Sequence, residues 1–229
     1  MPRVLRGAGP INDEQWSVGG AVTIRFDRIV TTGTFSLDDH HTDVENNVWL
    51  VGDDDEVLVV DAAHDAPAIL DAIDGRRVVA VVSTHGHNDH INAAGEIADA
   101  TGAPVYLHPE DRMLWDEVHP DRMPLPLSDG QRFQVAGTTL EVLHTPGHSP
   151  GAVCLHAVDV DVILTGDTLI RGGPGDTGPS FSSFHAIMES IRTRLLYLPR
   201  ETRVLAGHGE ETTIGEERPD YDVWVRRGS

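Results

Sequence analysis

Three imidazoles and a carboxylate fall within six residues in the run Thr84-His85-Gly86-His87-Asn88-Asp89-His90, directly after the apolar stretch Val78–Val82. Side chains two apart on an extended segment share a face, so His85 and His87 can converge on one ion. Asp89 and His90, turned away by the start of a helix, are left for a second. Imidazole and carboxylate are nitrogen and oxygen ligands for divalent cations, and four of them at this spacing mark a metal loop rather than a solvated His-rich turn.

Three further residues extend the set. His148 lies in Thr145-Pro146-Gly147-His148-Ser149-Pro150-Gly151, after Val142-Leu143; Asp167 follows Ile163-Leu164-Thr165-Gly166; His208 follows Val204-Leu205-Ala206-Gly207. Each stands just past an apolar strand, where sheet proteins build their sites on loops. Alone, each would be an ordinary loop residue. Beside H-x-H-x-D-H they complete a group of five histidines and two aspartates, suited to two divalent ions with one carboxylate able to bridge them. Zinc fits such a set best, and iron and manganese accept the same ligands.

Other reactive side chains read differently. His40 and His41 sit in a polar loop that could border the cleft, and His64, soon after Asp61, is a candidate to support a ligand. His108, His119, His144, His156 and His185 read as packing, capping or surface residues. Cys154, in Ala152-Val153-Cys154-Leu155, reads as a buried thiol. No G-x-S-x-G elbow is present, so neither a serine nor a cysteine nucleophile is called for.

The elements that must position these groups follow from the apolar periodicity. Val48–Val51 and Val57–Asp61 predict a hairpin about the acidic turn Asp53-Asp54-Asp55, then a helix over Pro67–Ile73 and the Val78–Val82 strand. A helix is expected over Ile91–Ala100, capped by Asn88 or Asp89 and stopped by Gly102. Val105–Leu107 predicts a strand, Pro109–Val118 a helix and Met123–Leu127 a loop. Strands follow at Phe133–Val135, Thr139–Leu143, Val153–His156, Val162–Thr165 and Thr202–Ala206, with the longest helix at Phe184–Leu196. The second half echoes the first. Asp55–Asp61 aligns with Asp161–Asp167 at a constant offset, and in each half the next strand runs into His-Gly, at His85-Gly86 and His208-Gly209. Two β-rich halves with helices on one face each suggest two sheets packed between outer helices.

Composition narrows the classes. The chain has 229 residues and a net charge of −20, with 37 acids against 17 bases, every base an arginine. A nucleic-acid partner needs a basic footprint, and none is expected here. No apolar segment is long enough to span a membrane, no signal-type run opens the chain, and the single cysteine cannot form an intrachain disulfide, so a cytoplasmic protein is expected. Residues 1–20, rich in glycine and proline, read as a flexible arm before one domain over 21–229. A homodimer is compatible with the sequence, which does not fix the oligomeric state.

The ordered motifs H-x-H-x-D-H, T-P-G-H-S-P-G, T-G-D-T-L and G-H-G resemble the metallo-β-lactamase fold hydrolases, closest to the glyoxalase II-like branch, over nearly all of residues 24–215. The resemblance implies an α+β, four-layer αββα sandwich. It implies one ion, most simply Zn2+, on His85, His87 and His148, a second on Asp89, His90 and His208, and Asp167 bridging both. Asp61 would then orient a ligand imidazole, with a helix-capping carboxylate as the alternative. Water bridging two cations loses a proton near neutral pH, since even one zinc lowers its pKa to ~7. The metal-bound hydroxide would attack a carbonyl carbon, and Asp89 would be catalytic as well as a ligand by accepting a hydrogen bond from that nucleophile. The expected activity is a thioesterase acting on a small-molecule S-acyl or S-formyl thiol conjugate. The alternatives are a lactonase or other ester hydrolase on the same dinuclear site, and a persulfide dioxygenase with a single iron. Glyoxalase II-like enzymes commonly carry Gly-Arg-Thr-Asp after T-G-D-T-L, whereas this chain has Arg171-Gly172-Gly173-Pro174-Gly175-Asp176-Thr177-Gly178. Near the end only Arg226 and Arg227 stand where full-length glyoxalase II has a basic helical extension for glutathione, so a glutathione thioester is not the expected substrate. Val44–Trp49 and Gly173–Gly178 resemble a bacterial subgroup linked to mycothiol-dependent formaldehyde metabolism.

Overall fold

The computed structural model describes residues 16–17, 23–37, 39–178 and 181–228. The proposed N-terminal arm lies outside these residues except for strand β1 (Trp16–Ser17). β1 pairs antiparallel with β2 (Thr23–Leu37), which pairs with β3 (His40–Gly52) through thirteen residue pairs. The first sheet continues through β4 (Glu56–Val60), β5 (Arg77–Val82), β6 (Val105–Leu107) and β7 (Leu125–Pro126) in sequence order. Helix α1 (Ala66–Ile73) crosses from β4 to β5. Helices α2 (Asn88–Ile91) and α3 (Ala94–Thr101) follow β5, and α4 (Arg112–Val118) follows β6.

The second sheet is built from β8 (Arg132–Val135), β9 (Thr138–His144), β10 (Val153–Ala157), β11 (Val162–Gly166), β14 (Arg203–Ala206) and β15 (Thr212–Thr213). A small ribbon of β12 (Leu169–Ile170) and β13 (Gly173–Pro174) follows β11. Helix α5 (Phe184–Ser190), with a π-helical turn over Ile191–Leu195, crosses from β11 to β14. Helices α6 (Ile214–Glu217) and α7 (Tyr221–Arg227) close the described chain.

Strand β4 shows why these segments are continuous apolar runs. Leu58 and Val60 face the second sheet, where they join Val82, Val142, Leu155, Leu164 and Leu205. Val57 and Val59 face the helices, joining Ile69, Ile73, Ile97 and Trp115. In β11, Val162 and Leu164 point inward, while Ile163 packs with Ile187, Ile191, Leu195 and Trp224. Strands buried on both faces lose the alternating pattern, and each such side chain contributes roughly 1.5–3 kcal/mol. The result is the expected four-layer αββα sandwich.

The internal echo has a structural counterpart. β3–β4–β5 runs antiparallel then parallel, and so does β10–β11–β14. Several local expectations needed adjustment. The strand expected at Val48–Val51 is the end of a much longer hairpin arm, and His41, expected in a loop, lies exposed on β3. The helix expected over Ile91–Ala100 is two pieces, because Asn88, Asp89 and His90 already form a turn before the break at Asn92-Ala93. Gly102 ends the second piece in the left-handed region. The loop expected at Met123–Leu127 contains the edge strand β7.

Candidate metal centre

Five of the seven residues singled out for metal lie just beyond the carboxyl end of a strand. β5 leads into His85 and His87, β9 into His148, β11 into Asp167 and β14 into His208. The crevice outside these strand ends is the expected place for a site in parallel sheets. Asp89 and His90 come from α2.

The structure brings all seven side chains together. His85 Nε2 lies 3.1 Å from His87 Nδ1, and His148 Nε2 lies 3.0 Å from that same nitrogen. A second triangle joins His90 Nε2 to His208 Nε2 at 3.1 Å, with Asp89 Oδ2 at 3.5 Å and 3.4 Å from them. Asp167 Oδ2 stands between the two, 3.4 Å from His148 Nε2, 3.6 Å from His90 Nε2 and 3.3 Å from His208 Nε2. Such edges match donors ~2.0–2.2 Å from a shared cation in tetrahedral geometry. Asp89 Oδ1 and Asp167 Oδ1 are buried with no hydrogen-bond partner among the described residues. The donor set therefore fits two divalent ions.

The remote ring nitrogens are held in turn. His90 Nδ1 lies 3.1 Å from Asp61 Oδ2, and that carboxylate also accepts from the Thr84 amide at 2.7 Å and hydroxyl at 2.8 Å. Asp61 thus orients the His90 imidazole rather than capping a helix, and does so from a left-handed backbone with φ 56°. His85 Nδ1 is 3.1 Å from the Thr84 hydroxyl, His148 Nδ1 is 2.8 Å from the Asp176 carbonyl, and His208 Nδ1 is 2.7 Å from the Glu45 carbonyl. These contacts place the Nδ1 proton outward and leave Nε2 free for metal. His87 is turned the other way, presenting Nδ1, with its ring edge-on to Phe35.

Charge divides the two triangles. Burial, reinforced by the surrounding imidazoles, drives His85 well below its ordinary 6.5 and lowers His87 to about 3. Both offer bare lone pairs at neutral pH. Burial opposes charge on His90 and His208 as well, but adjacent carboxylates outweigh it. Asp89, Asp167 and Asp61 raise His90 well above the usual value, and Asp167 with Asp89 raises His208 to about 10. Against the same burial, His90 and His208 hold the carboxyls of Asp89 and Asp167 below the ordinary carboxylate range.

Two sets of supporting residues were not among the site candidates read from the sequence, although the second lies in the distinctive Val44–Trp49 segment. Asp111, fully buried before α4, accepts from the Gly86 amide at 2.8 Å, the Ser149 hydroxyl at 2.6 Å and the Gly151 amide at 2.6 Å. It fastens the loop of His85 and His87 to the loop of His148. On the other side the Asn47 amide donates to the Gly207 carbonyl at 2.8 Å, its side chain to the Ala206 and Gly209 carbonyls, and the Trp49 indole to Ala206. These bonds tie the His208 loop of the second sheet to β3 of the first. Gly207 permits the approach, since a Cβ there would lie 2.5 Å from Asp167 Oδ1 and 2.6 Å from His90 Cε1.

The remaining candidates fall elsewhere. Among the described residues a further His108–Glu110–His144 group exists, but its imidazoles stack face to face at 4.1 Å rather than converging. Cys154 is buried, and burial pushes its thiol up to about 11, which suits a core thiol and not a nucleophile. An open groove of about 410 Å³ is lined by Thr32, Gly33, Thr34, Asp43, Val44 and Glu45 of the β2–β3 hairpin, none of them a candidate ligand.

The sequence profile of the metallo-beta-lactamase superfamily matches residues 41–208, spanning all seven candidate ligands. The chain belongs to this superfamily. Among curated relatives it is similar to the hydroxyacylglutathione hydrolase GloC of Haemophilus influenzae, 30% identical over 194 residues, covering 77% of this chain and 92% of that one. It is also similar to the probable metallo-hydrolase YqgX of Bacillus subtilis, 32% identical over 190 residues, covering 76% and 90%. Among solved structures, TTHA1623 in a di-iron-bound form superposes with a TM-score of 0.69 at 30% identity, covering 81% of this chain and 96% of that one. The chain is thus a metal-dependent hydrolase of the superfamily by its fold, its profile and its ligand set. No helix among the described residues is long and apolar enough to cross a membrane.

Proposed function

We propose that this protein is a dinuclear thioesterase that hydrolyses the S-acyl or S-formyl conjugate of a small thiol. The observation that carries the reading is the pair of donor triangles sharing Asp167, beside a carboxylate oxygen left free. His85, His87 and His148 would hold one divalent ion, Asp89, His90 and His208 the other, with Asp167 common to both and zinc the ion that the N/O donor set favours. When bound, such ions acidify a water and polarise a carbonyl oxygen. The rest belongs to the protein. Asp89 Oδ2 faces its triangle, which leaves the buried, unpartnered Oδ1 to accept a hydrogen bond from an attacking water and aim it. Asp61 and the Glu45 and Asp176 carbonyls keep the imidazoles turned for this task.

The thiol carrier is taken from the resemblance of Val44–Trp49 and Gly173–Gly178 to the subgroup linked to mycothiol-dependent formaldehyde metabolism. Mycothiol is the carrier, and an S-formyl conjugate the acyl form, that we favour. The test is a panel with the metal-loaded enzyme: S-formylmycothiol, S-lactoylglutathione, a homoserine lactone and nitrocefin, with oxygen uptake followed on a glutathione persulfide. Free thiol should appear fastest from S-formylmycothiol and be lost in His87→Ala and Asp167→Ala. Faster turnover of the lactone, or oxygen uptake with one bound iron, would reject the thioesterase reading.

A further inference from the structure

Next to Asp89, a chain of three side chains ends on the second donor triangle. Asn46 Nδ2 lies 3.0 Å from Asp89 Oδ2, 3.3 Å from His90 Nε2 and 3.5 Å from His208 Nε2. No other described side chain outside the seven candidate ligands approaches all three of these atoms. Asn46 is fully buried in β3, where its neighbour Asn47 faces the His208 loop instead.

The direction of the Asn46 amide follows from its supports. The His64 main-chain N–H donates to Asn92 Oδ1 at 2.6 Å, which fixes that atom as the oxygen. Asn92 Nδ2 therefore donates to His64 Nδ1 at 2.9 Å. A neutral His64, favoured by its burial, then carries its proton on Nε2 and donates to Asn46 Oδ1 at 2.9 Å. With the carbonyl taken, the Asn46 NH2 must face Asp89. His64 holds this post from a left-handed backbone with φ 61°, and Gly33 makes room for its ring, since a Cβ there would lie 2.1 Å from His64 Nδ1. A non-glycine residue in that conformation marks strain that its surroundings sustain.

We propose that Asn46, aimed by the Asn92–His64 relay, is a positioning residue that sets the affinity of the second metal site by holding Asp89 Oδ2 toward His90 and His208. The first triangle has no contact with the relay, so the effect is confined to one ion. Supporting contacts of this kind typically govern metal affinity by ~10–100-fold. The inference rests on the two-ion reading above, though not on the substrate.

Metal-stripped protein is titrated with Co2+ at fixed pH by calorimetry and visible absorption. The wild type should show two equivalents. Asn46→Ala should weaken the second at least tenfold and leave the first unchanged within twofold, which also reports an intact fold. His64→Ala should weaken the same equivalent, and Asn46→Ala/His64→Ala should be no worse than Asn46→Ala alone. His64→Gln, which keeps a donor near the Nε2 position, should recover most of the loss. A second equivalent of wild-type affinity in Asn46→Ala would overturn the inference. So would equal loss of both ions, or multiplying effects in the double variant. A wild type that takes up only one Co2+ would overturn it together with the two-ion reading.

Discussion

Replacing Asp111 by asparagine changes one atom and probes how the first metal triangle is assembled. In the wild type, Oδ2 accepts from Gly86 N and Ser149 Oγ, while Oδ1 accepts from Gly151 N. An amide of the same shape can accept on one side only. If its oxygen faces Gly86 and Ser149, its NH2 meets the Gly151 N–H. If it is reversed, the serine hydroxyl can turn and accept, but the Gly86 N–H is left against an NH2. One buried backbone donor therefore loses its partner in either orientation, at about 1–3 kcal/mol. Removing a buried charge, whose pKa burial has raised, offsets part of this. For a chain of this size each kcal/mol moves Tm by ~2–4 °C, so a drop of roughly 3–10 °C is expected in metal-free protein. Gly86 separates His85 from His87, and Ser149 follows His148, so the affinity of the first ion should fall as well. Thermal unfolding in chelator and a Zn2+ competition titration read the two effects. An Asp111→Asn variant with wild-type Tm and wild-type affinity for both ions would refute the reasoning.

Other expectations follow from the same geometry. Gly207→Ala places a methyl against Asp167 and His90, so it should cost ~1–3 kcal/mol by overpacking and abolish binding of one ion, read by elemental analysis after dialysis. Binding of the second ion should strengthen with pH. Neighbouring carboxylates raise His208 to about 10 and His90 well above its ordinary value, so protons compete with metal for this triangle. The gain between pH 6 and 8 should be roughly tenfold or more per pH unit, with a far smaller change at the first triangle, where His87 is lowered to about 3. Zn2+ titrations at several pH values distinguish these slopes, and a flat second-site affinity would contradict the assignment of those protons.

The clustering of the seven candidate donors was legible in the sequence because they are patterned locally. H-x-H-x-D-H carries four donors on one loop, and His148, Asp167 and His208 each follow an apolar strand. The four layers were legible for a similar reason, since strands buried on both faces leave unbroken runs such as Val57–Val60. The β2–β3 hairpin was not. Thr32, Thr34, His41, Thr42, Asp43 and Glu45 are exposed there, so no buried face imposes an apolar alternation. Asp111, Asn46 and Asn47 were hidden for a different reason. Each acts through partners eighteen or more residues away, and nothing in Pro109-Glu110-Asp111 or Glu45-Asn46-Asn47 separates a buried anchor from a surface turn.

The central claim, that seven side chains hold two ions with Asp167 between them, is tested most directly by counting. Protein saturated with Zn2+, dialysed and submitted to elemental analysis should carry close to two ions per chain. A chain that retains no more than one under saturating conditions would contradict the account.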